Sequence, residues 1–298
     1  VKLCFYPILS NGMPDLKNCN KMLKDRAPDV ILYVNYFGEP LFCEGLSNIA
    51  KKNKAWLIED SVHCLKPESK IGIHGDFVIY SPHKFLSIPD GAILVTRSNG
   101  PNKLTNDFLE CSGFETIYFS IINDGKPPKL APFMWLSKRL IQKMGLQLLH
   151  KKQVFYNNID VTNINKLPHP KMSKVAQKLL SNMLNLESEA THRKKIQMNW
   201  NDALNANISL KNLIIKQTKI KYTPYLAKIN LSKSTAVNIF NFFENLKIPV
   251  STWPDLPPEV LEEPELHEVA IKLRSSCIFL PVHGSINSKK LRSKIRRI

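Results

Sequence analysis

The sequence predicts an α/β protein: a large domain built on a mostly parallel sheet, followed by a smaller α+β domain. Three observations predict it. Short apolar runs alternate with helical stretches between residues 29 and 97, and two of those runs end in polar clusters. One helix-period stretch, Met172 to Leu204, then separates this region from a C-terminal part in which strand-like and helical pieces alternate. The 298 residues fit one large domain or two of ordinary size, each able to bury its own core.

Taken in order, Asp29 to Asn35 is a short apolar run with Pro28 before it and Tyr36-Phe37-Gly38 after it, which suits a buried parallel strand. Leu41 to Lys54 places Leu41, Leu46, Ile49 and Ala50 near helical spacing and ends in lysines, which favour a helix C-terminus. Ala55-Trp56-Leu57-Ile58 is a second strand running into Glu59-Asp60-Ser61. Asp76 to Tyr80 and Ala92 to Thr96 are two more, with Ser81 to Gly91 between them. Strands alternating with helices predict a sheet covered on both faces. Residues 99 to 132 carry Gly, Pro and Asn and read as an irregular excursion, and Pro132 to Lys152 reads as an amphipathic basic helix. Met172 to Leu204 holds no internal Pro or Gly, so it reads as one long helix or two end to end. Beyond residue 208, strand-like pieces such as Leu213 to Tyr222 alternate with a helix near Thr235 to Leu246. The expected division is residues 1–170 for the large domain and 171–298 for the linking helix and small domain.

Composition narrows the function classes. At 43% hydrophobic and 9% aromatic residues, disordered and fibrous chains are excluded. No run approaches the roughly 18 apolar residues of a membrane-spanning helix. No basic segment leads into an apolar run and cleavage site at the N-terminus, so a cytoplasmic protein is expected. The six cysteines are scattered without a CxxC pair, which predicts reduced thiols and no metal site. Forty-two Lys and Arg against 25 Asp and Glu leave a formal charge of +17, which raises nucleic acid, anionic membrane or anionic small molecules as partners. No helix-turn-helix, finger or RNA-binding signature accompanies the charge, and lysine is abundant throughout. The basic run from Lys289 to Ile298 therefore reads as a solvated end, and no nucleic-acid partner is expected.

The chemistry lies where two strands end. Glu59-Asp60-Ser61-Val62-His63 follows Trp56-Leu57-Ile58, and Ser81-Pro82-His83-Lys84 follows Phe77-Val78-Ile79-Tyr80. Open α/β sheets gather ligands at the carboxyl ends of their strands. A carboxylate and a lysine on adjacent loops there can hold a pyridinium ring, as pyridoxal phosphate requires. Taken singly, an aspartate after a strand caps a turn, a lysine is solvated, and His63 or His83 is a satisfied structural histidine. Their joint order inside a strand–helix–strand frame is what carries the functional reading.

The ordered set of Tyr36-Phe37-Gly38, Leu57 to His63, Gly75-Asp76-Phe77, Ser81 to Lys84 and Pro89-Asp90-Gly91 resembles the DegT/DnrJ/EryC1/StrS family of sugar aminotransferases, which are fold type I pyridoxal-phosphate enzymes. The similarity continues more loosely through Met172-Ser173, Arg193 with Asn199, and Leu280 to His283, so it covers most of the chain. The resemblance implies the three-layer large domain and small C-terminal domain of that fold. It implies Lys84 as the Schiff-base lysine, Asp60 as partner of the pyridine nitrogen, Ser81 as a phosphate ligand and His63 against the cofactor ring and its phenolic oxygen. Pyridoxal 5'-phosphate is the implied cofactor, a nucleotide-linked keto sugar the acceptor, an amino acid such as glutamate the donor, and a homodimer the assembly. A weakly active or non-catalytic cofactor-binding relative stays open within the same class, as does a basic nucleic-acid-binding protein from another. Asn35 stands where many relatives have a histidine, and Ala92 where a second glycine is common. Relatives also begin with a helical arm and a Gly-Thr or Gly-Ser turn that supplies phosphate donors, and that segment is expected to be missing ahead of Val1.

Overall fold

The computed structural model describes residues 2–25, 27–41, 44–96, 131–143, 172–182, 185–205 and 222–284, with single positions at 210, 286 and 293. The first elements are helix α1 (Leu16–Asp25), strand β1 (Val30–Val34), helix α2 (Glu44–Lys52) and strands β2 (Trp56–Asp60), β3 (Phe77–Tyr80) and β4 (Ile93–Thr96). Helix α3 (Ala131–Lys143) follows, then α4 (Lys174–Asn182) and α5 (Leu186–Asn205). The C-terminal elements are β5 (Leu226–Asn230), α6 (Lys233–Asn245), β6 (Ser251–Thr252), α7 (Pro258–Glu262), α8 (Glu268–Ser276) and β7 (Cys277–Pro281).

The first sheet has the order β1-β2-β3-β4, parallel at its first two junctions and antiparallel at β3–β4. Tyr33, Leu57, Leu46, Ile49 and Ala50 close one core between this sheet and helix α2. Helix α1, whose leucines and Cys19 join that core, is not foreseen by the apolar pattern. Asp15 starts it by accepting the backbone N–H groups of Lys17 and Asn18, both at 3.1 Å. The expectation of a β1 buried on both faces is corrected: Val30 and Leu32 are 48% and 49% exposed while Ile31 and Tyr33 are buried. As the edge strand of the sheet, β1 shows the period-2 alternation of a half-covered strand.

The stretch Met172 to Leu204 is two helices. Asn185 begins the second one, its side chain accepting the N–H of Ser188 at 3.0 Å. Ser173 caps the first, accepting the N–H of Ala176 at 3.1 Å, and its own N–H donates to Asp90 at 2.8 Å. In the C-terminal part, β5-β7-β6 form an antiparallel sheet against α6, with Trp200, Phe240, Phe243, Ile278 and Leu280 at the centre of its core. The strand at the front of this sheet begins at Leu226, and most of the expected Leu213 to Tyr222 piece lies outside the described residues. So do residues 99–130 of the excursion, 144–152 of the basic helix, the 170/171 division and nearly all of the basic C-terminal run. Cys4, Cys19, Cys64 and Cys277 are free thiols. Among the described residues no helix is long and apolar enough to cross a membrane.

Candidate active site

Both polar clusters emerge at the carboxyl ends of neighbouring parallel strands. Asp60 is paired with Val34 on one side and Ile79 on the other, and the Ser61 N–H extends the ladder to the Ile79 carbonyl at 2.8 Å. The β2 loop and the β3 turn therefore start side by side. Asp60 accepts the Val62 N–H at 3.0 Å through Oδ1, and among the described residues Oδ2 takes no hydrogen bond. After Ser81 the chain makes a tight turn over Pro82–Lys84, held by the N–H of Lys84 on the Ser81 carbonyl at 3.0 Å.

Lys84 is half-buried, and its Nζ sits 5.9 Å from the centroid of the Tyr225 ring. Burial lowers its pKa from the ordinary lysine range, while the charge of Asp60 pulls the other way. No carboxylate pairs with it among the described residues. Lys84 thus feels the charge of Asp60, and His63 feels the charge of Lys84.

His63 lies between two rings. Tyr225 stacks on it at 4.4 Å and 9°, and Phe37 lies on it at 5.5 Å and 20°. Its Nδ1 accepts the Phe37 N–H at 3.4 Å, so the proton of the neutral ring sits on Nε2. Burial, then the nearby Lys84 charge, pushes its pKa down to about 4, which keeps that donor tautomer at neutral pH. Ser81 is buried at the strand end, with Oγ 3.0 Å from His83 Nδ1, which is also 3.1 Å from the Gly91 carbonyl.

Residues that the sequence pattern left without a role at the site complete it. Phe37 has φ of 59°, a left-handed conformation that costs a non-glycine residue about 1 kcal/mol. That conformation lets its N–H reach His63 while its carbonyl accepts the Tyr225 N–H at 3.1 Å. Gly38 follows at φ of 79°; a Cβ there would stand 2.8 Å from the carbonyl oxygens of both His63 and Thr223. Only glycine allows the C-terminal segment to approach this closely. Asn35, fully buried, donates to Glu59 at 2.9 Å and to Ser61 at 3.0 Å. Glu59, also buried, accepts the N–H groups of Gly72 at 2.6 Å and Gly75 at 3.2 Å. Asn35 and Glu59 therefore brace the floor beneath Asp60. Two motifs distant in sequence also meet: a Cβ on Gly91 would stand 2.2 Å from Met172 Cε.

The donor set fits pyridoxal phosphate. An open carboxylate oxygen suits a pyridinium N–H, a neutral histidine with Nε2–H suits a phenolic oxygen, and a half-buried amine without an ion-pair partner suits a carbonyl carbon.

This architecture is that of the fold type I aminotransferases, and particular solved structures share it. The chain aligns over 98% of its length with 72% of a DegT DnrJ EryC1 StrS aminotransferase from Brucella abortus, at TM-score 0.56 and 16% identity. It aligns over 99% with 72% of Helicobacter pylori PseC, an aminotransferase involved in the biosynthesis of pseudoaminic acid, at 0.57 and 16%. The aminotransferase TlmJ from Streptoalloteichus hindustanus matches over 98% of this chain and 72% of its own, at 0.59 and 13%. At these identities the likeness establishes the fold. No protein-family model and no curated protein matches the sequence.

Proposed function

We propose that this chain is a pyridoxal-phosphate-dependent aminotransferase that moves an amino group from an amino acid, glutamate, onto a nucleotide-linked keto sugar. The observation that carries the reading is the placement of Asp60, His63 and Lys84 at the carboxyl ends of adjacent parallel strands, in a fold shared with solved aminotransferases. Spr1654 from Streptococcus pneumoniae, a neighbour of the same fold, is solved in a PLP form and a PMP form.

When bound, the cofactor supplies an electron sink for negative charge at the carbon bearing the transferred nitrogen. Asp60 would accept the ring N–H and so keep the ring protonated, a charge-assisted bond that favours the cationic form. His63 would donate from Nε2 to the phenolic oxygen. Ser81, at the end of β3, would offer its hydroxyl to the phosphate. Lys84, as the neutral amine that burial favours, would join the cofactor's carbonyl carbon with loss of water; once displaced by the donor's amine, Nζ would take the proton from the donor carbon that bears nitrogen and return it to the cofactor's carbon. Residues 1–170 form the cofactor-binding domain and 171–298 the linking helices and small domain. The protein works as a cytoplasmic homodimer.

Incubation with pyridoxal phosphate, borohydride reduction and peptide mapping test the reading. The expected result is a visible absorbance band that borohydride removes, with the pyridoxyl label on Lys84. A label on another lysine overturns the assignment. Asp60→Asn is expected to keep the fold and lose turnover by about three orders of magnitude, because a neutral amide no longer favours the protonated ring. Near-normal transamination by that variant overturns the role of Asp60.

A further inference from the structure

Arg193 is 2% exposed, on helix α5, and its guanidinium makes bonds in three directions. Nε donates to Glu189 Oε1 at 2.7 Å, one turn back on the same helix. Nη2 donates to the Phe85 carbonyl at 3.2 Å, and Nη1 to the Tyr225 carbonyl at 3.4 Å. The guanidinium carbon also lies 4.6 Å from the centroid of the Phe85 ring. Helix attachment alone would be served by the aliphatic stem and Glu189. The two carbonyls have a different meaning, because each belongs to one wall of the site.

Phe85 directly follows Lys84, and its N–H closes the turn on the Pro82 carbonyl at 3.0 Å. Tyr225 carries the ring that stacks on His63 at 4.4 Å, and Lys84 Nζ lies over the same ring. The Phe85 and Tyr225 rings touch each other, with centroids 5.4 Å apart. One rigid planar fork therefore fixes the backbone on both sides of the space that Lys84 enters. Lysine has the charge but not the geometry to hold two divergent carbonyls at once.

We infer that Arg193 is a positioning residue of the cofactor site, setting the Lys84 turn and the Tyr225 cover relative to each other through the carbonyls of Phe85 and Tyr225. This rests on the aminotransferase reading. The groups that face Lys84 are Asp60, whose charge raises its basicity, the ring of Tyr225, and His63. Burial in this frame keeps the amine below its ordinary range, so loosening the frame hydrates Lys84 and returns it upward.

The test uses the full chain, pyridoxal phosphate as probe, and the variants Arg193→Lys and Glu189→Gln. Arg193→Lys is expected to melt cooperatively and to bind the probe roughly ten- to hundredfold more weakly, the equivalent of one charged hydrogen bond. The pH midpoint for borohydride-trapped capture at Lys84 is expected to move up. Glu189→Gln leaves the two carbonyl contacts in place and is expected to keep both midpoint and affinity. If Arg193→Lys unfolds, Arg193→Gln, which keeps a planar two-donor group, replaces it. Unchanged affinity and midpoint in a folded variant overturn the inference while the function stands. If the wild type takes no label on Lys84, the function reading falls, and amide exchange without cofactor decides the inference: faster exchange of residues 81–88 and 222–226 in the variant supports it, and equal exchange overturns it.

Discussion

Lowering the pH should destabilise the folded chain through His63 in particular. The imidazole is enclosed between the rings of Phe37 and Tyr225, and its Nδ1 is committed to the Phe37 N–H. Its pKa falls from an ordinary 6.5 to about 4, first because burial penalises the cation and second because Lys84 repels it. A group depressed on folding contributes stability that is complete above its unfolded pKa and is lost as pH falls through the folded value. Between pH 6.5 and about 4 the unfolded chain binds one more proton than the folded one, so stability declines by up to about 1.4 kcal/mol per pH unit. The total is about 3 kcal/mol, a sizeable part of the ~5–15 kcal/mol that holds a domain. Urea denaturation of wild type and His63→Gln at about pH 7.5, 6, 5 and 4.5 measures it. Other titrating groups are common to both proteins, so the difference between the curves isolates His63. The wild type is expected to lose about 2–3 kcal/mol more than the variant across this range, most of the total. Curves that fall in parallel refute the reasoning and place His63 in contact with water.

Two further predictions concern the frame around the site. Trp200 is fully buried and donates Nε1–H to the Pro281 carbonyl at 2.8 Å, so Trp200→Ala should cost about 3–5 kcal/mol in urea denaturation, with Trp200→Phe costing less. Gly38→Ala should destabilise by about 3 kcal/mol and weaken pyridoxal-phosphate binding in the same preparation, because the new methyl meets two backbone carbonyls that cannot move independently. A folded Gly38→Ala protein with normal melting and binding would show that the C-terminal segment is not held against His63.

The four strands of the first sheet and the polar clusters that end two of them are legible in the residues alone. Those features are local: each strand is a short apolar run, and Asp60 with His63, or Ser81 with Lys84, sit a few residues apart on one loop or turn. Even the brace at Asn35 and Glu59 was present as letters, though nothing local states that a buried amide joins them. The tertiary structure decided what closes the site. Tyr225 precedes a strand that the apolar pattern does not mark, and it reaches His63 only because Gly38 and a left-handed Phe37 let two distant segments touch. Arg193 belongs to a loose resemblance that gives it no role and no partner until the fold carries it to Phe85, 108 residues away in the chain. Its charge is then removed from water and can be satisfied only by carbonyls and a carboxylate that three separate segments supply. Periodicity records which face of an element is buried; it does not record which buried faces meet.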